Sequence, residues 1–587
     1  MCVALAGCAL LSAVLAFSDL GARPLMSPAE ARYAMVAREM LESGDWIQPR
    51  LNHVRFYEKP PLTFWCVGNA YRLFGFTEFA SRLPSALAYI GTVVLTFLLA
   101  LELLGTGTAP LAALIYATSL GPFLFGRFLF TDTLLVFCSG IALLGLARIV
   151  RRPASASGPA MFYLGASLAG LTKGLIGLLF PFAAAALYGL FVGGRHFFRR
   201  LRPRLGVGII AAVLLPWHVV LAWRDPEFIP MYLGHEHFAR FLGRRFPVNF
   251  TPLSIPAFWT STLLWMFPWI LFLPAAFPRR GRRWSHRLSL LWIWAAVIVG
   301  FFTLTGSRME YYALPAFPAV AVILGSAWRR FMIRGRRSVA MLAPSLIVAA
   351  IGLVATPLVF FSEKNGLTAL ASVVSSMDGY YREYFAEHAG AAMVFGKELL
   401  RLAQPFPIVL LLLGAATIVA LRLGRRRLAF GLWIVGIVPI LGIADRAEGV
   451  VTEDRSQRAA AAIVVRNWAP GARLVVAGDY EEACGITFYV GQPTQVLGGP
   501  GSDLLFGYQR GDAPEVFLSA EDFRKSWESP GRVIVLGGRD LTLPGATILF
   551  EGPRSRLLSN GPVASAALRD LPPAPSRGSA KGPRPRD

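Results

Sequence analysis

Of the 58 basic residues in this chain only six are lysines: Lys59, Lys173, Lys364, Lys397, Lys525 and Lys581. Where arginine is preferred so heavily, a lysine at the outer end of an apolar run indicates that a compact ammonium is needed. Lys59 and Lys173 both stand at such places. An ammonium at membrane depth is expensive unless it is paired or faces a polar cavity, and a phosphate is its natural partner. The competing reading is an interfacial lysine that snorkels to water. Asp132, at the end of Gly126-Arg127-Phe128-Leu129-Phe130-Thr131-Asp132, is a candidate catalytic carboxylate or an ion-pair partner of Arg127. Glu30 is a second candidate, although Ser27-Pro28-Ala29-Glu30 has the form of a capping box and gives it a structural task. In Gly234-His235-Glu236-His237, a helix would point the two histidines roughly 200° apart, so only one of them can serve a given ligand. Arg308, in Ser307-Arg308-Met309-Glu310-Tyr311-Tyr312, suits a phosphate, an interface anchor or an ion pair with Glu310.

The elements that must position these groups are membrane spans. The chain is 587 residues long, 55% hydrophobic and 16% charged, against about 25% charged in a soluble protein. Its apolar runs have bilayer-crossing length, and thirteen spans are predicted, starting near residues 2, 82, 109, 131, 159, 174, 205, 256, 288, 312, 339, 406 and 428. The first run, Cys2 to Phe17, lacks a basic leader and is read as a span rather than a signal peptide.

The net charge of +23 is placed, not spread. From the fourth span onward every second gap is basic: Arg148–Arg152, Arg195–Arg204, Arg279–Arg287, Arg329–Arg337 and Arg422–Arg427 hold 22 arginines and no Asp or Glu. By the positive-inside rule these gaps are cytoplasmic, which accounts for the charge without nucleic acid. The N-terminus is then inside and the C-terminal region outside, in an inner membrane. The five cysteines show no CxxC spacing and suggest neither a disulfide framework nor a cysteine metal site.

The long outward gaps, residues 18–81, 223–255 and 362–405, carry the polar side chains. In the first, two amphipathic helices are predicted, one from Ser27 and one from Tyr57 to about Phe74, lying at the water–lipid boundary. Residues 1–445 form the membrane domain. From 446 to 570 short β-rich runs (Arg473–Val476, Ile486–Val490, Val533–Leu536, Ala546–Phe550) and an amphipathic helix over Ser456–Trp468 predict a small outward α/β domain. The Pro/Arg/Ser/Gly-rich stretch 571–587 is predicted to be disordered.

Several motifs occur together in order: Glu30-Ala31-Arg32-Tyr33-Ala34, Gly44-Asp45-Trp46, Glu58-Lys59-Pro60-Pro61-Leu62, Arg82-Leu83-Pro84, Thr172-Lys173-Gly174, Pro216-Trp217, Glu236-His237-Phe238-Ala239-Arg240-Phe241 and Tyr312-Ala313-Leu314-Pro315. They resemble the bacterial aminoarabinose transferases, kin of the protein O-mannosyltransferases in the GT-C glycosyltransferase superfamily, and the resemblance covers almost the whole chain. It implies an inverting sugar transfer from an undecaprenyl-phosphate donor to a lipid A-type or other envelope acceptor. The chemistry would need no cofactor. Arg32 and Lys59 would meet carrier phosphate or acceptor, Lys173 and Tyr312 would line the same cavity, and Asp132 falls near a second acidic residue of the family. The resemblance also implies a structural zinc shared by Glu58 and His237. The family usually carries Asp-Glu where this chain has Ala29-Glu30, and that aspartate is the carboxylate usually assigned to catalysis. A phosphate acceptor, already ionised near neutral pH, tolerates its loss better than a hydroxyl acceptor, which needs a general base. A catalytically silent lipid-phosphate binder and a lipid-linked sugar transporter are the alternatives.

Overall fold

A computed structural model describes residues 1–246, 252–277, 285–335, 339–361, 389–500 and 503–561. Arg279, Arg280, Arg282, Arg283, Arg336, Arg337, most of the third outward gap (362–388) and the tail 571–587 lie outside the described residues. Among those described, eight helices are long and apolar enough to cross a membrane. Two bent pairs, Pro203–Val213 with Leu215–Arg224 and Ile255–Trp265 with Trp269–Ala276, bring the number to ten. The other predicted spans correspond to short helices: Cys2–Phe17, Ala109–Ala117 and Ser157–Lys173. Even the longest of these has 17 residues and reaches only about 25 Å, less than the roughly 30 Å of a hydrocarbon core.

Both interfacial helices of the first outward gap are present, Ala29–Ser43 and Leu62–Phe74. Each ends at a glycine with positive φ, Gly44 and Gly75, where the chain reverses at no steric cost. The capping box is not made. Glu30 Oε2 accepts the Met26 N–H at 3.2 Å rather than that of Ser27, which donates to the Arg455 carbonyl at 3.2 Å, and the Ser27 hydroxyl donates to Gln457 Oε1 at 2.5 Å instead of capping the helix. Docking of the C-terminal region therefore overrides the local signal.

That region is built on a six-stranded sheet, with β1 (Arg50–Leu51) and β2 (Val54–Arg55) forming a separate hairpin upstream. The strands are β3 (Arg473–Ala477), β4 (Thr494–Leu497), β5 (Phe517–Leu518), β6 (Val533–Gly538), β7 (Thr547–Glu551) and β8 (Ser555–Ser559), in the order β5-β4-β3-β6-β8-β7. β3 runs parallel to β4 and β6, whereas β8 is antiparallel to both β6 and β7. The run Ile486–Val490, expected as a strand, is a helix, Gly485–Val490. Parallel β3 and β4 need a crossover between them, and this helix supplies it while burying Ile486 and Phe488. Those side chains join Tyr33, Val36, Met40, Phe64 and Val67 in one apolar cluster with Leu474, Val476, Ile534 and Leu536. The sheet and the interfacial helices thus share a core, which also takes in Ala80 and Leu129.

Candidate active site

Lys59 follows Glu58 in the Tyr57–Pro61 turn, just before the Leu62–Phe74 helix, and is 6% exposed. Its ammonium donates to Glu58 Oε1 at 2.5 Å. Arg32, from the first interfacial helix, reaches Glu58 Oε2 at 3.3 Å, and Arg240, from the second outward gap, reaches Oε1 at 3.4 Å. Burial works to raise the Glu58 carboxyl, but Arg32, Lys59, Arg240 and Arg245 together hold it well below the usual carboxylate range. Burial pulls the Lys59 ammonium down to about 8; Glu58 opposes this, while Arg240 and Lys173 add to it. Lys173 is therefore near enough for its charge to be felt at Lys59.

Lys173 closes the Ser157–Lys173 helix, and Gly174 turns the chain with φ +70 into Leu175–Tyr188. Its ammonium meets Asp132 Oδ1 at 2.5 Å and lies over the Tyr312 ring at 4.4 Å and the Tyr311 ring at 5.5 Å. Asp132 stands in the first turn of Thr131–Arg151. Arg127, weighed above as its partner, instead pairs with Asp445. His237 supports the Gly174 turn from the other side: its Nδ1–H donates to the Tyr232 carbonyl at 2.6 Å and its Nε2 accepts the Leu175 N–H at 3.1 Å.

The fold thus gathers Arg32, Glu58 and Lys59 into one group and Asp132, Lys173 and Tyr312 into an adjoining one. It places Glu30 and Arg308 elsewhere. The Glu30 carboxylate is fully buried, takes two hydrogen bonds from Arg82 (2.8 and 2.7 Å) and accepts the Leu129 N–H at 2.9 Å. Those contacts make it a structural anchor. Arg308 donates to the carbonyls of Leu253 and Thr305. The Glu58–His237 pair does not fit a zinc ion as placed: three cations engage the carboxylate, and both ring nitrogens are committed to backbone. Among the described residues no group of three or more His, Cys, Asp or Glu side chains forms a metal site.

Sequence reasoning gave no role to Arg240, Arg245, Glu236, Glu481 or Asp503, all of which belong to the site. Arg240 bridges Glu58 and Glu236. Arg245 bridges Glu236 and Asp503. Arg32 Nη1 is shared by Glu481 at 2.6 Å and Asp503 at 2.9 Å. Arg240 and Glu236 sit within a quoted motif and were findable. The last two acids follow the final membrane helix, with nothing local to mark them.

The fold is that of a solved structure, ArnT from Cupriavidus metallidurans bound to undecaprenyl phosphate. The TM-score is 0.80 at 23% identity, over 96% of this chain and 98% of that one. The chain therefore shares the fold of that protein. The dolichyl-phosphate-mannose-protein mannosyltransferase family model matches residues 58–223, which include Glu58, Lys59, Asp132 and Lys173. An undecaprenyl phosphate-alpha-4-amino-4-deoxy-L-arabinose arabinosyl transferase of Pseudomonas fluorescens is 31% identical over 53% of this chain and 56% of its own length. The corresponding Erwinia tasmaniensis protein is 28% identical over 68% and 73%. The chain thus spans little more than half the length of the first of these relatives. Its eight long apolar helices make it a membrane-embedded protein.

Proposed function

We propose that this chain is a GT-C glycosyltransferase that moves a sugar from a polyprenyl-phosphate donor, of the undecaprenyl-phosphate aminoarabinose type, to a phosphate-bearing envelope glycolipid of the lipid A type. The observation that carries it is the buried convergence of Lys59, Arg32 and Arg240 beside the Lys173–Asp132 pair, at the junction of two outward gaps and the helix bundle. Dehydrated cations at membrane depth suit a lipid-linked phosphate.

In this reading Lys59 and Arg32 neutralise the donor phosphate and stabilise it as it leaves with the electron pair of the sugar–oxygen bond. An acceptor oxygen attacks the anomeric carbon from the opposite face, inverting it. A phosphate acceptor arrives ionised and needs no base. For a hydroxyl acceptor Asp132 is the carboxylate in place, since Glu30 is sealed against Arg82. No metal enters any step, and no cofactor is invoked. Residues 1–445 carry the chemistry, and 446–570 form the outward domain. The chain lies in the inner membrane with its N-terminus cytoplasmic.

The test is mass spectrometry of envelope glycolipids with and without the gene, paired with a radiolabelled polyprenyl-phosphate sugar and purified protein. Loss of a sugar-modified glycolipid together with turnover in vitro supports the enzyme. Retention of label without turnover favours a silent binder, the reading that Ala29 keeps alive.

A further inference from the structure

Among the described residues, four cations (Arg32, Lys59, Arg240, Arg245) face four carboxylates (Glu58, Glu236, Glu481, Asp503) in one contiguous group. Glu58 and Glu236 belong to the outward gaps that build the site. Glu481 and Asp503 come from the C-terminal sheet domain, and their side chains are 4% and 5% exposed. They are tied to each other as well, the Asp503 N–H donating to Glu481 Oε1 at 2.8 Å. Their remaining oxygens converge on a single guanidinium nitrogen of Arg32, and Asp503 also binds Arg245. Two carboxylates on adjoining arginines imitate the oxygens of a bound phosphate.

This arrangement has an electrostatic consequence. Four cations and four carboxylates balance, and unmatched charge is costly in a dry site, so a phosphate that takes up Arg32 must send a resident anion away. With both domain carboxylates withdrawn, the four cations exceed the remaining two carboxylates by two. A carrier phosphate monoester carries about −1.5 to −2 near neutral pH, which matches that excess. A phosphodiester-linked sugar carries one charge and requires one carboxylate to leave.

We propose that Glu481 and Asp503 are resident anions of the phosphate site. They occupy Arg32 and Arg245 while the site is empty and exchange with the carrier phosphate, so that the segment bearing them loosens when the lipid binds. The inference rests on the phosphate-binding reading above and deepens it: the C-terminal domain becomes a competitor of the substrate rather than a passive cap.

Hydrogen–deuterium exchange on the full chain in nanodiscs, with and without a short-chain polyprenyl phosphate, tests this directly. Binding is measured in parallel, and the uncharged polyprenol serves as control. Peptides covering 479–485 and 503–510 are expected to lose protection with the phosphate and to stay unchanged with the alcohol. The double variant Glu481→Gln/Asp503→Asn should bind the phosphate about tenfold more tightly, within the usual range for coupled sites, and show little further loss of protection. Unchanged or greater protection in a wild-type protein that demonstrably binds the phosphate would overturn the exchange and leave the enzymatic reading intact. Failure to bind polyprenyl phosphate at all would sink both. The wild-type comparison stands even where the double variant does not fold.

Discussion

Lys59 is held at 6% exposure with Arg32 and Arg240 gathered on the same carboxylate, so its charge is sustained by Glu58 and nearly balanced against loss of its proton. Lys59→Ala should remove a charge-assisted contact worth on the order of 1.5–3 kcal/mol, or roughly 10- to 150-fold in transfer rate, with normal membrane insertion; wild-type turnover would reduce Lys59 to a structural partner of Glu58. A pH profile gives a sharper readout. Below about pH 8 the amine is charged in both folded and unfolded chains, and between there and its ordinary value of 10.5 it is neutral only in the folded one. The KM for the lipid-linked donor should therefore rise above about pH 8, and Lys59→Arg should flatten that rise. Glu30 makes the opposite case. Breaking its pair with Arg82 leaves a buried guanidinium uncompensated, which costs about 3–5 kcal/mol. Glu30→Gln should thus lower thermal stability by that order while surviving folded protein turns over normally; unchanged stability with turnover down about 100-fold would restore it as a base. At this scale the sequence was readable where a residue type is scarce. Six lysines drew attention to the two buried ones, whereas Glu481 and Asp503 are two ordinary acids among 35, brought to Arg32 only by tertiary structure.

Elements decide what Lys173 can reach. The helix that carries it stops at Gly174, where a Cβ would fall 2.0 Å from His237 Nε2 and 2.6 Å from the Tyr232 hydroxyl, at a φ of +70 that disfavours any side chain. Gly174→Ala should accordingly displace His237, swing Lys173 off Asp132 and Tyr312, and lower both thermal stability and transfer; a variant with unchanged melting and turnover would show that the turn tolerates a methyl group. His237 has a structural task in this arrangement, accepting the first N–H beyond that turn. Purified protein should therefore contain well under one equivalent of zinc, and chelation should leave donor binding unaltered; stoichiometric metal lost on His237→Ala would reinstate the Glu58–His237 pair as ligands. The two interfacial helices were legible because their apolar periodicity agrees with their tertiary role. The Ser27 cap and the Ile486–Val490 strand were misread for one reason: each local signal gave way to contact between the sheet domain and the Ala29–Ser43 helix, which no window of neighbouring residues contains.

At the scale of the whole molecule, sidedness follows from the distribution of arginine. Lys59, Lys173 and the sheet domain meet at one end of the bundle, while Arg199, Arg200, Arg202 and Arg204 are exposed where the helix Gly194–Arg200 ends and Pro203–Val213 begins. Cationic loops resist translocation, and the orientation proposed above, with the arginine-rich gaps cytoplasmic, puts the site at the opposite end on the outward side. Short helices complicate the count without changing this sidedness. Cys2–Phe17 and Ser157–Lys173 are too short to cross unaided, yet they pack within the bundle, where neighbouring helices and local thinning accommodate them. A reporter active only outside the membrane should therefore be active when fused after Gly449 or Ser559 and silent at Arg200 or Arg336. The pair Arg200 and Gly449 discriminates best, because these points sit on opposite sides only if the spans between them are odd in number. Activity at Arg200, or silence at Gly449 in a stably inserted fusion, would invert the orientation and put Lys59 on the side away from any outward-facing acceptor.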